Sequence, residues 1–113
     1  MMRVVAALSV LTIMSACVSP TTTSVQRSDV SFRPDNLGLS VDPIGKRIDF
    51  GRSPAGAIRA VDRELGPHRA LTLLGCSAGI TQQLAWDDLV LTFTRERFVG
   101  WKTATGSQGR TCT

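Results

Sequence analysis

The sequence predicts a small α+β domain in which one helix packs on an antiparallel sheet, set behind a processing segment and a polar tether. Three observations carry that expectation. An N-terminal apolar run gives way to a Ser/Thr-rich stretch, a single capped helical pattern covers Pro54 to Leu65, and from Leu84 onward apolar residues alternate with period two between tight turns. The chain has 113 residues, 42% of them hydrophobic and 19% charged, which bounds it to one small domain and excludes a large multidomain enzyme. Thirteen Lys and Arg against nine Asp and Glu give a net charge of +4, with no Lys/Arg block and no aromatic residues interleaved with a basic stripe. No nucleic acid partner is expected from such a pattern.

Met1 to Arg3 is a cationic start, and Val4 to Met14 is apolar apart from Ser9 and Thr12. That run falls well short of the roughly 20 residues needed to span a bilayer, so a mature transmembrane helix is not expected. It ends in Met14-Ser15-Ala16-Cys17, which resembles the lipobox of bacterial lipoproteins: an aliphatic residue, two small residues and the Cys whose sulfur is lipidated. The resemblance implies a signal peptide over 1–16, acyl chains on Cys17 and a membrane partner reached through that lipid. Val18, rather than Asp, follows the Cys, which by the family's sorting rule implies an outer-membrane anchor facing the periplasm. More than one acyl chain gives stable anchoring where a single chain would be marginal. The other reading is an ordinary secretory peptide cut after small residues, with Cys17 a plain thiol. Cysteine parity favours lipidation, because three Cys leave one unpaired unless Cys17 is lipidated, in which case Cys76 and Cys112 form one possible pair.

The residues from Cys17 to Asn36 hold few large apolar side chains and open with Ser19-Pro20-Thr21-Thr22-Thr23-Ser24, so 17–36 reads as a lipidated Cys and a flexible tether. Pairing of part of it as an edge strand is the alternative. The domain proper is expected over 37–113. Within it, Leu39/Val41 and Ile48/Phe50 alternate on either side of Asp42-Pro43-Ile44-Gly45-Lys46, which predicts a hairpin. Ser53-Pro54 supplies an N-cap and a first-turn proline, and Leu65-Gly66-Pro67 a stop. Ala57, Ile58, Val61 and Leu65 share one face of that helix, with Arg59, Asp62 and Arg63 on the solvated face.

A short strand is expected at Ala70 to Leu74 and a small-residue turn at Cys76 to Gly79, followed by a three-stranded meander with Leu84/Trp86, Leu89/Leu91/Phe93 and Val99/Trp101 on single parities. The helix would bury Ile58, Val61 and Leu65 against Leu89, Leu91 and Phe93. A Cys76–Cys112 bond would close a loop worth roughly 4 kcal/mol in the chain-entropy model and pin the polar tail Ala104 to Arg110. Pairing of Cys112 with another molecule is the alternative, and an oxidising periplasm permits either.

Ile48-Asp49-Phe50-Gly51-Arg52-Ser53, then Ile58, Leu65-Gly66-Pro67, Trp86, Leu89 to Phe93 and Phe98-Val99-Gly100-Trp101, resemble a group of short Gram-negative lipoproteins over about 65 residues. More distantly, a strand into Gly, a capped helix, Leu-Gly-Pro and a sheet meander are similar to the BamE (SmpA/OmlA) lipoproteins and the fold they share with β-lactamase inhibitor protein. Arg52 stands where that family has Met or another apolar residue. The resemblance implies a non-enzymatic accessory of outer-membrane assembly with an envelope protein as partner.

The remaining motifs argue mostly against chemistry. Gly75-Cys76-Ser77-Ala78-Gly79 spells G-x-S-x-G, but a nucleophile elbow needs a strand-to-helix turn in a large parallel sheet and a His after the Ser. The chain's one His, His68, precedes Ser77. A serine hydrolase is therefore the weak alternative, and a glycine-rich turn holding a disulfide Cys the main reading. Gly51 to Gly56 matches P-loop glycines, yet Ala57-Ile58 replace its Lys and Ser/Thr, and no dinucleotide fingerprint is present. Asp87 and Asp88, adjacent in a turn, cannot share a reacting atom. One His and few free Cys do not make a metal site, and no cofactor is expected. Two features remain as candidate binding groups. Arg95 and Arg97, if convergent with other arginines, would engage anionic headgroups or an acidic surface rather than forming a merely solvated face, and Trp86 and Trp101 would stack on a ligand rather than fill the core. A concave face lined by either indole would indicate a small-ligand-binding or inhibitor-like module.

Overall fold

In the computed structural model, residues 30–113 are described; the expected signal segment 1–16, Cys17 and the part of the expected tether before Val30 lie outside the described residues. Strand β1 (Ser31–Asp35), β2 (Gly38–Asp42) and β3 (Lys46–Asp49) form an antiparallel sheet in chain order, with Leu39 opposite Ile48 and Phe32 opposite Val41. The alternation read over Leu39/Val41 and Ile48 is thus a hairpin, turning through Pro43–Gly45. The tether boundary at residue 36 is corrected. Ser31–Asp35 pair with β2 along their whole length, and Asp35 accepts the Trp101 indole N–H on its carbonyl at 2.7 Å. Main-chain pairing, which composition does not register, orders this polar segment.

Helix α1 (Pro54–Leu65) has the expected bounds. Ser53 occupies the N-cap position in extended conformation, but its hydroxyl makes no capping bond, and only its carbonyl enters the ladder, from Ala57 N. The buried face also differs from expectation: Ala57 and Val61 are fully buried, Ile58 and Ala60 pack at the margin, and Leu65 is 39% exposed. The methyl side chain of Ala57 lets the helix backbone lie close to the core, which turns the larger Ile58 and Leu65 to one flank.

The second sheet runs β4 (Arg69–Ala70), β5 (Ile80–Trp86), β6 (Leu89–Thr94), β7 (Phe98–Lys102) and β8 (Ser107–Gly109), all antiparallel in chain order. The three-stranded meander is therefore extended at both sides. Ala70 to Leu74 is not a strand: after Ala70, Leu71 N donates to Gln83 O and the chain turns at Leu73–Cys76, leaving Leu73 and Leu74 exposed. One face of this sheet carries Leu84, Trp86, Leu89, Leu91, Phe93, Phe98 and Trp101, which join Leu39, Val41, Ile48, Ala57 and Val61 in a single core.

Cys76 and Cys112 are disulfide-bonded within the chain across 36 positions. The polar tail is ordered as β8 and the segment after it. Gly100 makes that approach possible, since a Cβ there would overlap the Arg110 carbonyl. Gly109, at φ 73°, turns the chain back so that Arg110 N donates to Val99 O at 2.8 Å.

On the outer face of the three-stranded sheet, Arg47 bridges Asp35 at 2.7 Å and Asp49 at 2.8 Å, while Arg33 pairs with Asp42. The Arg47 guanidinium, and then the Leu37 N–H at 2.9 Å, hold the Asp35 carboxyl at about 2, below its ordinary 3.8.

Two outcomes are expected. Replacing both Cys76 and Cys112 by Ala should lower unfolding free energy by about 4 kcal/mol, read from urea denaturation, because the unfolded chain regains loop entropy. A depressed carboxyl stabilises the fold above its unfolded pKa and loses that contribution as pH falls through the folded value. The urea midpoint should accordingly drop between about pH 4 and pH 2, and Asp35→Asn should drop less over the same interval; equal drops would exclude this ion pair as the cause.

Candidate functional site

Both tryptophans are structural. Trp86 ends β5 inside the core, and its Nε1 donates to Asp62 Oδ1 and to Gly66 O, each at 3.0 Å. Trp101, on β7, is likewise buried with its N–H used by Asp35 O. Neither presents a ring for a ligand to stack on, so the binding role offered for Trp86 and Trp101 is corrected to core packing with a satisfied polar end.

Asp62, expected on the solvated helix face, is instead the hub of a small polar cluster. Its carboxylate also accepts the His68 backbone N–H at 3.1 Å and faces His68 Nδ1 at 2.9 and 3.0 Å, so that nitrogen carries the proton. The His68 ring in turn sits edge-on to Trp86, centroids 5.7 Å apart. A carboxylate in the last turn of a helix opposes the macrodipole, a sign in the sequence that Asp62 has tertiary donors.

Ser77 stands in the turn before β5, which is a strand rather than the helix a nucleophile elbow requires. Its hydroxyl accepts a hydrogen bond from Arg110 Nη2 at 3.2 Å, whereas His68 is committed to Asp62. The turn, the disulfide and Arg110 therefore form one unit: Arg110 Nη2 also donates to Ala78 O at 3.0 Å.

Gly79 and Arg110 of that unit form one wall of a surface depression of about 680 Å³. Opposite it is the β6–β7 turn with Arg95 and Arg97, and beneath lies the partly buried Phe50, packed 5.0 Å from the ring of the fully buried Phe98. The turn is held by its own residues. Thr94 Oγ1 accepts from the N–H groups of Glu96 at 3.3 Å and Arg97 at 3.2 Å, and Thr94 N donates to Arg97 O at 3.0 Å. The hydrogen bonds from Gly51 N to Phe98 O and from Phe98 N to Arg52 O seat the β3–α1 corner beside it. Among the described residues, neither Arg95, Arg97 nor Arg110 forms an ion pair.

Arg95 and Arg97 are thus brought together as the sequence suggested, with a third arginine that the reading of a polar tail missed. The signal was available: Arg110 lies two residues before Cys112, so the expected disulfide already placed it near Ser77. Comparison of the chain with protein-family models, with curated proteins and with solved structures found no match. Among the described residues there is no group of three His, Cys, Asp or Glu positioned for a metal, and no helix long and apolar enough to cross a membrane.

Removing the Asp62 carboxylate should strip the His68 backbone N–H and Nδ1 of their acceptor and leave Trp86 Nε1 with Gly66 O alone. Asp62→Ala is expected to cost about 1–3 kcal/mol in urea denaturation and to shift Trp86 emission, whereas Arg59→Ala, exposed on the same helix, should change neither.

Proposed function

We propose that this protein is an N-terminally lipidated lipoprotein of a bacterial cell envelope, anchored in the outer membrane through Cys17 and facing the periplasm. Its domain acts as a non-enzymatic binding or assembly accessory for an envelope partner. The observation that carries the reading is the bond between Cys76 and Cys112, which leaves Cys17 as the one remaining cysteine of the sequence, at the end of a lipobox-like run. A disulfide in a domain this small also suits an oxidising compartment. The binding surface is the depression lined by Arg95, Arg97 and Arg110, none of which forms an ion pair among the described residues. The stretch from Val18 to the first strand supplies the tether, spanning up to roughly 40 Å when extended.

Two measurements on the tagged protein in its native cell check this. Radiolabelled palmitate should enter the wild-type chain and not Cys17→Ala, and envelope cross-linking should recover one complex with the wild type alone. Equal labelling of both, or no complex above the Cys17→Ala control, would remove the anchored-accessory reading.

A further inference from the structure

The depression beside the β6–β7 turn holds positive charge that its own surroundings leave uncompensated. Three arginines line it against one carboxylate, Glu96, a formal excess of two. The acceptors that fix Arg110, the Ser77 hydroxyl and the Ala78 carbonyl, are neutral, so they orient the guanidinium without cancelling its charge. Only Nη2 is engaged there, which leaves the Nε and Nη1 donors for a ligand. On the opposite wall, the backbone beneath Arg95 and Arg97 is fixed by Thr94.

An excess of two charges and several guanidinium forks match a phosphate better than a carboxylate. A phosphate monoester carries close to two negative charges and several acceptor oxygens that different arginines can share, whereas a carboxylate carries one charge and satisfies a single fork. The volume of about 680 Å³ exceeds a bare phosphate, and the partly buried Phe50 adds an apolar lining. Resting on the reading of the domain as a binding module, we propose that Arg95, Arg97 and Arg110 form a site for a phosphate group carried on an organic moiety, with Arg110 positioned by the disulfide-closed turn. The carrier is either a lipid headgroup or a soluble phosphate ester.

Calorimetry on the protein extracted from its envelope in non-ionic detergent tests this with three probes: inorganic phosphate, glycerol 3-phosphate and the lipid monoester dihexanoyl phosphatidic acid, with dihexanoyl phosphatidylcholine as the zwitterionic control. Saturable binding of the anionic probes, with the phosphatidylcholine silent, is expected. Tightest binding by phosphatidic acid assigns the site to a lipid headgroup, and tightest binding by glycerol 3-phosphate to a soluble ester. Arg95→Ala combined with Arg97→Ala should weaken binding about tenfold or more, as loss of a charge-assisted contact does. Arg110→Gln should do the same while keeping the wild-type urea midpoint, and Arg59→Ala, on the helix surface, should bind as wild type. No saturable heat with any anionic probe, or an equal loss in Arg59→Ala, would overturn the proposal. Palmitate labelling and cross-linking are untouched by that failure, so the site and the anchor stand or fall separately.

Discussion

The bond between Cys76 and Cys112 joins the turn before β5 to the segment after β8, and most of what distinguishes this domain follows from that closure. With the two ends of the five-stranded sheet tied, the residues after Gly109 lie back over the strand β7, where Gly100 leaves room for the Arg110 carbonyl. Part of the sheet face away from the helix is thereby covered, and Thr92 there is buried to 1% exposure. Arg110 acquires a fixed direction from the same closure. A domain with a core of this size gains little from apolar burial alone, so constraining the unfolded chain contributes a large share of its net stability.

The core is assembled from three sources, and two indoles tie them. Trp86 connects the second sheet to the helix end through Asp62 and Gly66, and Trp101 connects it to the first sheet through Asp35. Each ring buries a large apolar surface while its N–H finds an acceptor on a different element, so packing and hydrogen bonding select the same arrangement. Asp35 serves twice, with its carbonyl turned to Trp101 and its carboxylate to Arg47. The edge strand that contains it is consequently part of the folded unit despite its polar composition.

Much of the architecture was legible because it is local. The hairpin through Pro43, the helix between Ser53 and Gly66, and the three strands from β5 to β7 each follow from periodicity and turn residues within about a dozen positions. Misread strands are polar hairpin partners whose backbone pairing leaves no apolar alternation in the sequence. Ser31–Asp35 is a strand because β2 offers it a ladder, Ser107–Gly109 because β7 does, and Leu73–Leu74 is not one because the disulfide turn intervenes. In the same way, Trp86 and Trp101 carry an amphipathic chemistry that suits a ligand site as well as a core, and only the position of Asp62 and Asp35 decides between them.

By itself the sequence determined the fold class, the number and place of the central elements and the cysteine arithmetic, all properties set by neighbouring residues and by composition. The tertiary structure decided which arginines face one concavity. Arg95 and Arg97 lie within one turn, but Arg110 joins them because the β7–β8 ladder and a bond formed across 36 positions together close the chain on itself. Convergence of charge in space depends on chain closure, and closure leaves no periodic trace in the sequence.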